Sequence, residues 1–228
     1  MEPCSNHLET RNDMGRRKKE PGSIHRQNIA STAQELFMQK GIEGTSMNEI
    51  AQCSGYSKAT LYVYFKNKEE LVGFLVLESM EKLYTHIFDA LKNSNRTKDR
   101  YDNICQSLVA YQQEYPFYFQ LALSEINIDF THTDFLPEEM ETFKVGEKIN
   151  DMIRRFIQDG IDAGDLRTDI PILPTIFSFW GMLSGLIVTA ENKRAYIEQA
   201  IGIPRDEFLS YGFETLYRAI ANHITEGR

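Results

Sequence analysis

Residues 47–68 read MNEIAQCSGYSKATLYVYFKNK, and this stretch decides the fold. Ser46 stands just before it with Glu49 three residues on, the spacing at which a hydroxyl and a carboxylate can satisfy orphan N–H groups at a helix start. Ile50 and Ala51 fall on the inner side of that helix, and Gly55 supplies the positive φ at which a chain commonly leaves one. Ser57 then caps a second helix through Lys58, Ala59, Thr60, Leu61, Tyr62, Val63 and Tyr64. Two short helices around a tight turn form a helix-turn-helix, the pattern of a DNA reader. The second helix has one clearly apolar inner position, Leu61, before Phe65, so most of its surface is left to touch something else. Leu61, Tyr62, Tyr64 and Phe65 together span its whole circumference, so at least one of the two tyrosines faces outward.

Charge supports this reading although the total opposes it. The 228-residue chain carries a formal charge of −8, yet residues 16–68 hold nine basic and four acidic side chains. A cationic end on an acidic body neutralises phosphates locally while the remainder opposes indiscriminate sticking to DNA. Arg16, Arg17, Lys18 and Lys19 form a basic run inside an aperiodic segment, residues 1–22, expected to be a mobile arm that lies along phosphates or enters a minor groove.

Outward from this stretch the periodicity is helical throughout. Ile29, Ala30, Ala33, Leu36 and Phe37 recur at spacings of three and four and predict a helix ending at Gly41. Asn67 with Glu70 opens a long helix through Leu71, Phe74, Met80, Leu83 and Leu91. Further helices are expected around Ile104 to Tyr111, after Pro116, from Glu138 to Ala163, and from about Arg205 onward. Sustained strand-like alternation is absent from the sequence, and the expected fold class is all-α: residues 23–68 a DNA-binding domain, 69–228 a second helical domain.

The interval 170–190 contains no charged side chain. Pro171, Pro174, Thr175, Ser178, Ser184 and Thr189 dilute its hydrophobicity, and a soluble helix buried on most of its faces is expected rather than a membrane span. A membrane-associated or protein-interaction module using this segment is the alternative. Gly181 and Gly185 form a flat strip that lets two helices approach closely. Cys4, Cys53 and Cys105 are odd in number and far apart, suggesting neither a disulfide framework nor a zinc site, and Cys53 is expected as a small packed thiol. The five histidines are scattered and no catalytic motif appears, so no metal, cofactor or enzymatic activity is expected. A reduced, cytoplasmic setting fits.

Ile29, Ala33, Leu36 and Phe37, then Lys40-Gly41, Gly44-Thr45-Ser46-Met47, Ile50-Ala51, Ser54-Gly55-Tyr56-Ser57-Lys58, Thr60-Leu61-Tyr62, Tyr64-Phe65 and Lys68-Glu69-Glu70-Leu71 resemble the TetR/AcrR family of transcriptional regulators. The resemblance covers about the first third of the chain. It implies a homodimer that reads the two halves of a palindromic operator in double-stranded DNA and is released by a small-molecule effector. Carried over, Ser57, Lys58, Ala59, Thr60 and Tyr62 face base edges or nearby backbone. Tyr64 and Lys68 hold phosphates, and Thr45 and Ser46 present a hydroxyl and backbone N–H groups to phosphate. The C-terminal part resembles the family's effector-binding and dimerisation domain. Tyr84, Phe88, Tyr101, Tyr111, Tyr118, Phe143, Phe156, Phe177 and Trp180 are expected to line its cavity, and the last two helices to form the dimer interface.

Overall fold

The computed structural model describes residues 21–92, 94–124 and 135–222. Ten α-helices account for most of them. They are α1 (Gly22–Lys40), α2 (Met47–Ser54), α3 (Lys58–Tyr64), α4 (Lys68–Lys92), α5 (Thr97–Glu114), α6 (Pro116–Ser124), α7 (Pro137–Asp162), α8 (Ile172–Asn192), α9 (Arg194–Tyr196) and α10 (Arg205–Ile220). A π-helical turn, Ile197–Ile201, follows α9. Among the described residues the only β pairing is one isolated bridge between Leu166 and Ala221. The chain divides into two compact units between Leu75 and Val76, so α4 begins in the first and ends in the second.

In the first unit α1, α2 and α3 pack on one another around Ile29, Ala30, Ala33, Phe37, Ile50, Leu61 and Phe65. The caps form where the sequence places them. Ser46 accepts from the Glu49 N–H, Ser57 from the Thr60 N–H, and Gly55 takes the left-handed conformation at φ 74° and ψ 11°. A side chain at Gly55 would be strained whatever the space around it. The Glu49 carboxylate accepts from Lys40, and Lys40 first, with the Ser46 backbone N–H after it, holds that carboxyl below its ordinary pKa. Arg26 lies over the rings of Phe65 and Phe74, at 4.7 Å and 5.1 Å, and pairs with Glu70 at 3.8 Å. Cys53 is half-buried on α2.

In the second unit α5 is the central helix. Its buried tyrosines give their hydroxyls to main-chain carbonyls of other helices: Tyr101 donates to Phe213 of α10 at 2.9 Å and Tyr111 to Ser79 of α4 at 2.8 Å. Such partners are what let a phenol sit in a core at no net cost in hydrogen bonds. Burial pushes the Cys105 thiol up to about 12, so it packs as a neutral apolar group. Helices α8 and α10 lie against each other, and Gly212 allows it: a Cβ there would come within 2.4 Å of the Leu186 side chain.

Helix α8 departs from expectation. It is not buried on most faces. Only 22% of its most apolar stretch is buried, and Leu173, Phe177 and Met182 are exposed while Ile176, Leu183, Ile187 and Ala190 face the core. Helix α9 and the π turn after it carry no periodic apolar pattern and were not anticipated.

Candidate nucleic-acid interface and effector cavity

Helix α3 buries one residue, Leu61, and its next neighbour Phe65 is fully buried. That anchors one side and turns the opposite side outward. Lys58, Ala59 and Tyr62 are exposed, Tyr62 at 41%, and the Lys58 ammonium stands 6.0 Å from the Tyr62 ring centre. Val63 is exposed at 79%. It stands one helical turn after Ala59 and extends the same surface, an apolar methyl face of the kind that meets thymine methyl groups in a major groove. Its identity as an ordinary aliphatic residue gave no sign of this. Ser57 and Thr60 share a hydrogen bond between their hydroxyls at 2.8 Å, which fixes both at the head of the helix.

The flanking residues sort into two groups. Ser46 is exposed beside the start of α2, as expected. Thr45 is not available: it is buried and its hydroxyl donates to the Gly41 carbonyl at 2.9 Å. Lys68 likewise turns inward. Its ammonium donates to the carbonyls of Ile42 at 2.8 Å and Thr45 at 3.4 Å and lies 3.7 Å from Glu43. These bonds tie the start of α4 to the turn between α1 and α2. Tyr64 is half-buried against the His25 ring at 5.4 Å and the Tyr56 ring at 6.5 Å. His25 Nδ1 in turn is 2.8 Å from the Tyr56 hydroxyl. Neither His25 nor Tyr56 was anticipated as part of this face, since the contact joins positions 31 residues apart. Arg26, Lys40 and Lys68 are committed to ion pairs within the unit, while Lys58 and Lys66 have none among the described residues. Arg16, Arg17, Lys18 and Lys19 lie outside the described residues.

The second unit contains a half-open cavity of about 430 Å³. Met80, Leu83 and Ile87 of α4 form one wall, and Tyr101, Ile104 and Leu108 of α5 another. Helix α7 contributes Thr142, Phe143, Ile149, Ile153 and Phe156, and α8 contributes Ile176, Phe177 and Trp180. Five of the nine aromatics expected at this site are therefore brought together: Tyr101, Phe143, Phe156, Phe177 and Trp180. The other four do not line it. Tyr84 and Phe88 stack on each other at 5.9 Å on another face of α4 from Met80, Leu83 and Ile87. Tyr111 is locked in the core by Ser79, and the Tyr118 hydroxyl donates to Glu78 at 3.0 Å. Aliphatic side chains from α4, α5 and α7, which an aromatic count passes over, supply much of the wall.

Residues 29–73 match the family described as bacterial regulatory proteins, tetR family. Those residues form a TetR-family DNA-binding domain. The match spans all of α2 and α3 and the flanking ends of α1 and α4, the elements that build the exposed face described above. The chain is 29% identical over 176 residues to the probable HTH-type transcriptional regulator YttP of Bacillus subtilis, covering 76% of this chain and 80% of that protein. Among solved structures it is similar to the TetR-family regulator PfmR of Thermus thermophilus (TM-score 0.62, 22% identity, 83% of this chain and 97% of that one). It is also similar to the transcriptional regulator FadR of Bacillus subtilis, solved in complex with stearoyl-CoA (TM-score 0.63, 15% identity, 84% and 97%). At these identities the two structures speak for the TetR fold alone. TetR-family regulators bind DNA and are not enzymes, in accord with the lack of a catalytic motif in the sequence.

Proposed function

We propose that the protein is a homodimeric repressor that binds a palindromic operator through α3 and is released when a small apolar effector enters the cavity of the second unit. The observation that carries the reading is the cavity itself. Its wall includes Met80, Leu83 and Ile87, which belong to the same continuous helix, Lys68–Lys92, whose first residue anchors the turn before α2. A ligand that favours one placement of α4 shifts the population between two spacings of the reading helices. Palindrome binding requires those helices about one DNA turn apart, roughly 34–36 Å, so a changed spacing lowers affinity. FadR, similar in fold and solved with stearoyl-CoA, makes a lipid-like effector a reasonable first class to test.

The dimer forms through α8 and α10. Leu173, Phe177, Gly181 and Gly185 succeed one another at four-residue steps on the exposed side of α8, and no atom lies within 4 Å of where a Cβ at either glycine would stand. Exposed Tyr211 on α10 adds to this apolar surface. A patch of this kind on a water-soluble protein marks an association surface, and its flat strip suits a second helix pair. The dimer acts in the cytoplasm, where its DNA is.

Selection of bound duplexes from a random pool tests the reading. An inverted repeat with half-sites about one turn apart supports it, and a direct repeat, a single half-site or no enrichment contradicts it.

A further inference from the structure

We propose that the cavity takes an uncharged, largely apolar molecule carrying one hydrogen-bonding oxygen, and that Thr142 is the residue that meets this oxygen. The proposal rests on reading the cavity as the effector site and narrows the chemistry of its occupant.

Thr142 lies on α7 in the cavity wall, 4% exposed, and its hydroxyl is buried without a hydrogen-bond partner. This is unusual within the same protein. A helical threonine commonly donates to the carbonyl one turn back, and Thr32, Thr85, Thr175 and Thr215 all do so, to Asn28, Glu81, Pro171 and Tyr211 at 2.8–3.1 Å. Thr142 instead leaves its hydroxyl unpaired in a mostly apolar wall, where the polar side chains of Tyr101, Glu147, Asn150 and Thr175 all have partners. A buried hydroxyl without a partner is a standing cost that a ligand oxygen removes.

The charges of the wall set the rest of the specificity. Among the described residues no lysine, arginine or histidine lines the cavity. The one ionisable carboxyl on its lining is Glu147, on an exposed part of α7, where it accepts from the Asn150 side-chain amide at 3.0 Å. A carboxylate or phosphate drawn inside would be desolvated with no counter-charge, and Glu147 would repel it. A cation would find no buried carboxylate deep in the wall. An ester, thioester, ketone or alcohol on a hydrocarbon body meets the apolar wall and the one unpaired hydroxyl: its oxygen can accept from Thr142 or, for an alcohol, also donate to it.

Calorimetric titration of the full-length protein with methyl decanoate, 1-decanol and decanoate at about pH 8, where the acid is fully ionised, tests this. The ester and the alcohol are expected to bind, with decanoate at least about tenfold weaker. Thr142→Val is expected to weaken the two neutral compounds by about tenfold, and Thr142→Ser to retain them. Without ligand, Thr142→Val should melt no lower than the wild type, since the change removes an unpaired hydroxyl at constant shape. Decanoate binding as tightly as its ester, an unchanged affinity in Thr142→Val, or no binding of any of the three overturns the proposal. DNA binding measured on the same unliganded samples separates the two readings: its absence beside intact ligand binding counts against the repressor and leaves the ligand class standing.

Discussion

The Lys68 ammonium donates to the Ile42 carbonyl at 2.8 Å, 26 residues back along the chain. A lysine that the local sequence marks as a phosphate contact is thereby a strut between α4 and the turn after α1. Lys68→Met removes the strut and leaves two carbonyls to water. The expected loss is about 1 kcal/mol, below the roughly 1.5–3 kcal/mol usual for bonds to a charged group because the site is partly exposed. Thermal melting reads the loss directly. If Lys68 does not touch phosphate, the slope of log affinity against log salt stays as in the wild type. A slope smaller by about 1.8, two contacts per dimer, would restore the phosphate role.

His25 holds the Tyr56 hydroxyl at 2.8 Å and lies against the Tyr64 ring. The contact brings the first turn of α1 to both ends of α3, so it should position Tyr56 and Tyr64 for DNA. His25→Phe keeps a ring and removes the hydrogen bond. Operator affinity should drop by about fivefold, the equivalent of about 1 kcal/mol, with the melting temperature little changed. An unaltered gel-shift titration would remove His25 from this role.

Gly185 faces open space on α8. Gly185→Ala meets nothing within one chain and gains helix propensity worth up to about 1 kcal/mol. The single chain should therefore be stabilised while association weakens, because a methyl now stands on the flat strip. Sedimentation over a dilution series distinguishes the cases. Equal or stronger dimerisation would place the interface elsewhere.

Arg218 and Lys98 hold the Glu214 carboxyl below its usual value, Arg218 contributing most and burial opposing. A carboxylate whose folded pKa is depressed stabilises the fold above its unfolded value of 4.5, and that contribution is lost as pH falls through the lower folded value. Glu214→Gln should accordingly lower the melting temperature at neutral pH, modestly because the pair is solvent-screened. Below the folded value the variant and the wild type should melt alike. A difference that persists in acid would assign the effect to packing instead.

The reading head was legible because its signals are local: Ser46, Gly55 and Ser57 act on backbone groups within a few residues of themselves, and all three cap as expected. What escaped depends on which segment lies opposite. Thr45 and Lys68 have the right chemistry for DNA, but their partners are carbonyls brought near by the turn after α1. Tyr101 and Tyr111 are alike in type and share a helix, yet Tyr101 reaches the cavity wall and Tyr111 does not. Composition likewise shows that α8 is apolar, but not how much of it one chain covers; Phe177, exposed at 63%, is the residue that answers this.

We propose that α3 presents a DNA-reading face built by Lys58, Ala59, Tyr62 and Val63. Fluorescence anisotropy of the selected duplex, measured for the wild type and for Lys58→Ala across a salt series, tests it most directly. For a dimer making six or more phosphate contacts, wild-type affinity should fall by about a thousandfold between about 50 and 200 mM salt. Lys58→Ala should bind at least about tenfold more weakly at every salt, two side chains being lost per dimer at roughly 1 kcal/mol or more each. Affinity insensitive to salt, or a Lys58→Ala protein that binds like the wild type, would contradict the account.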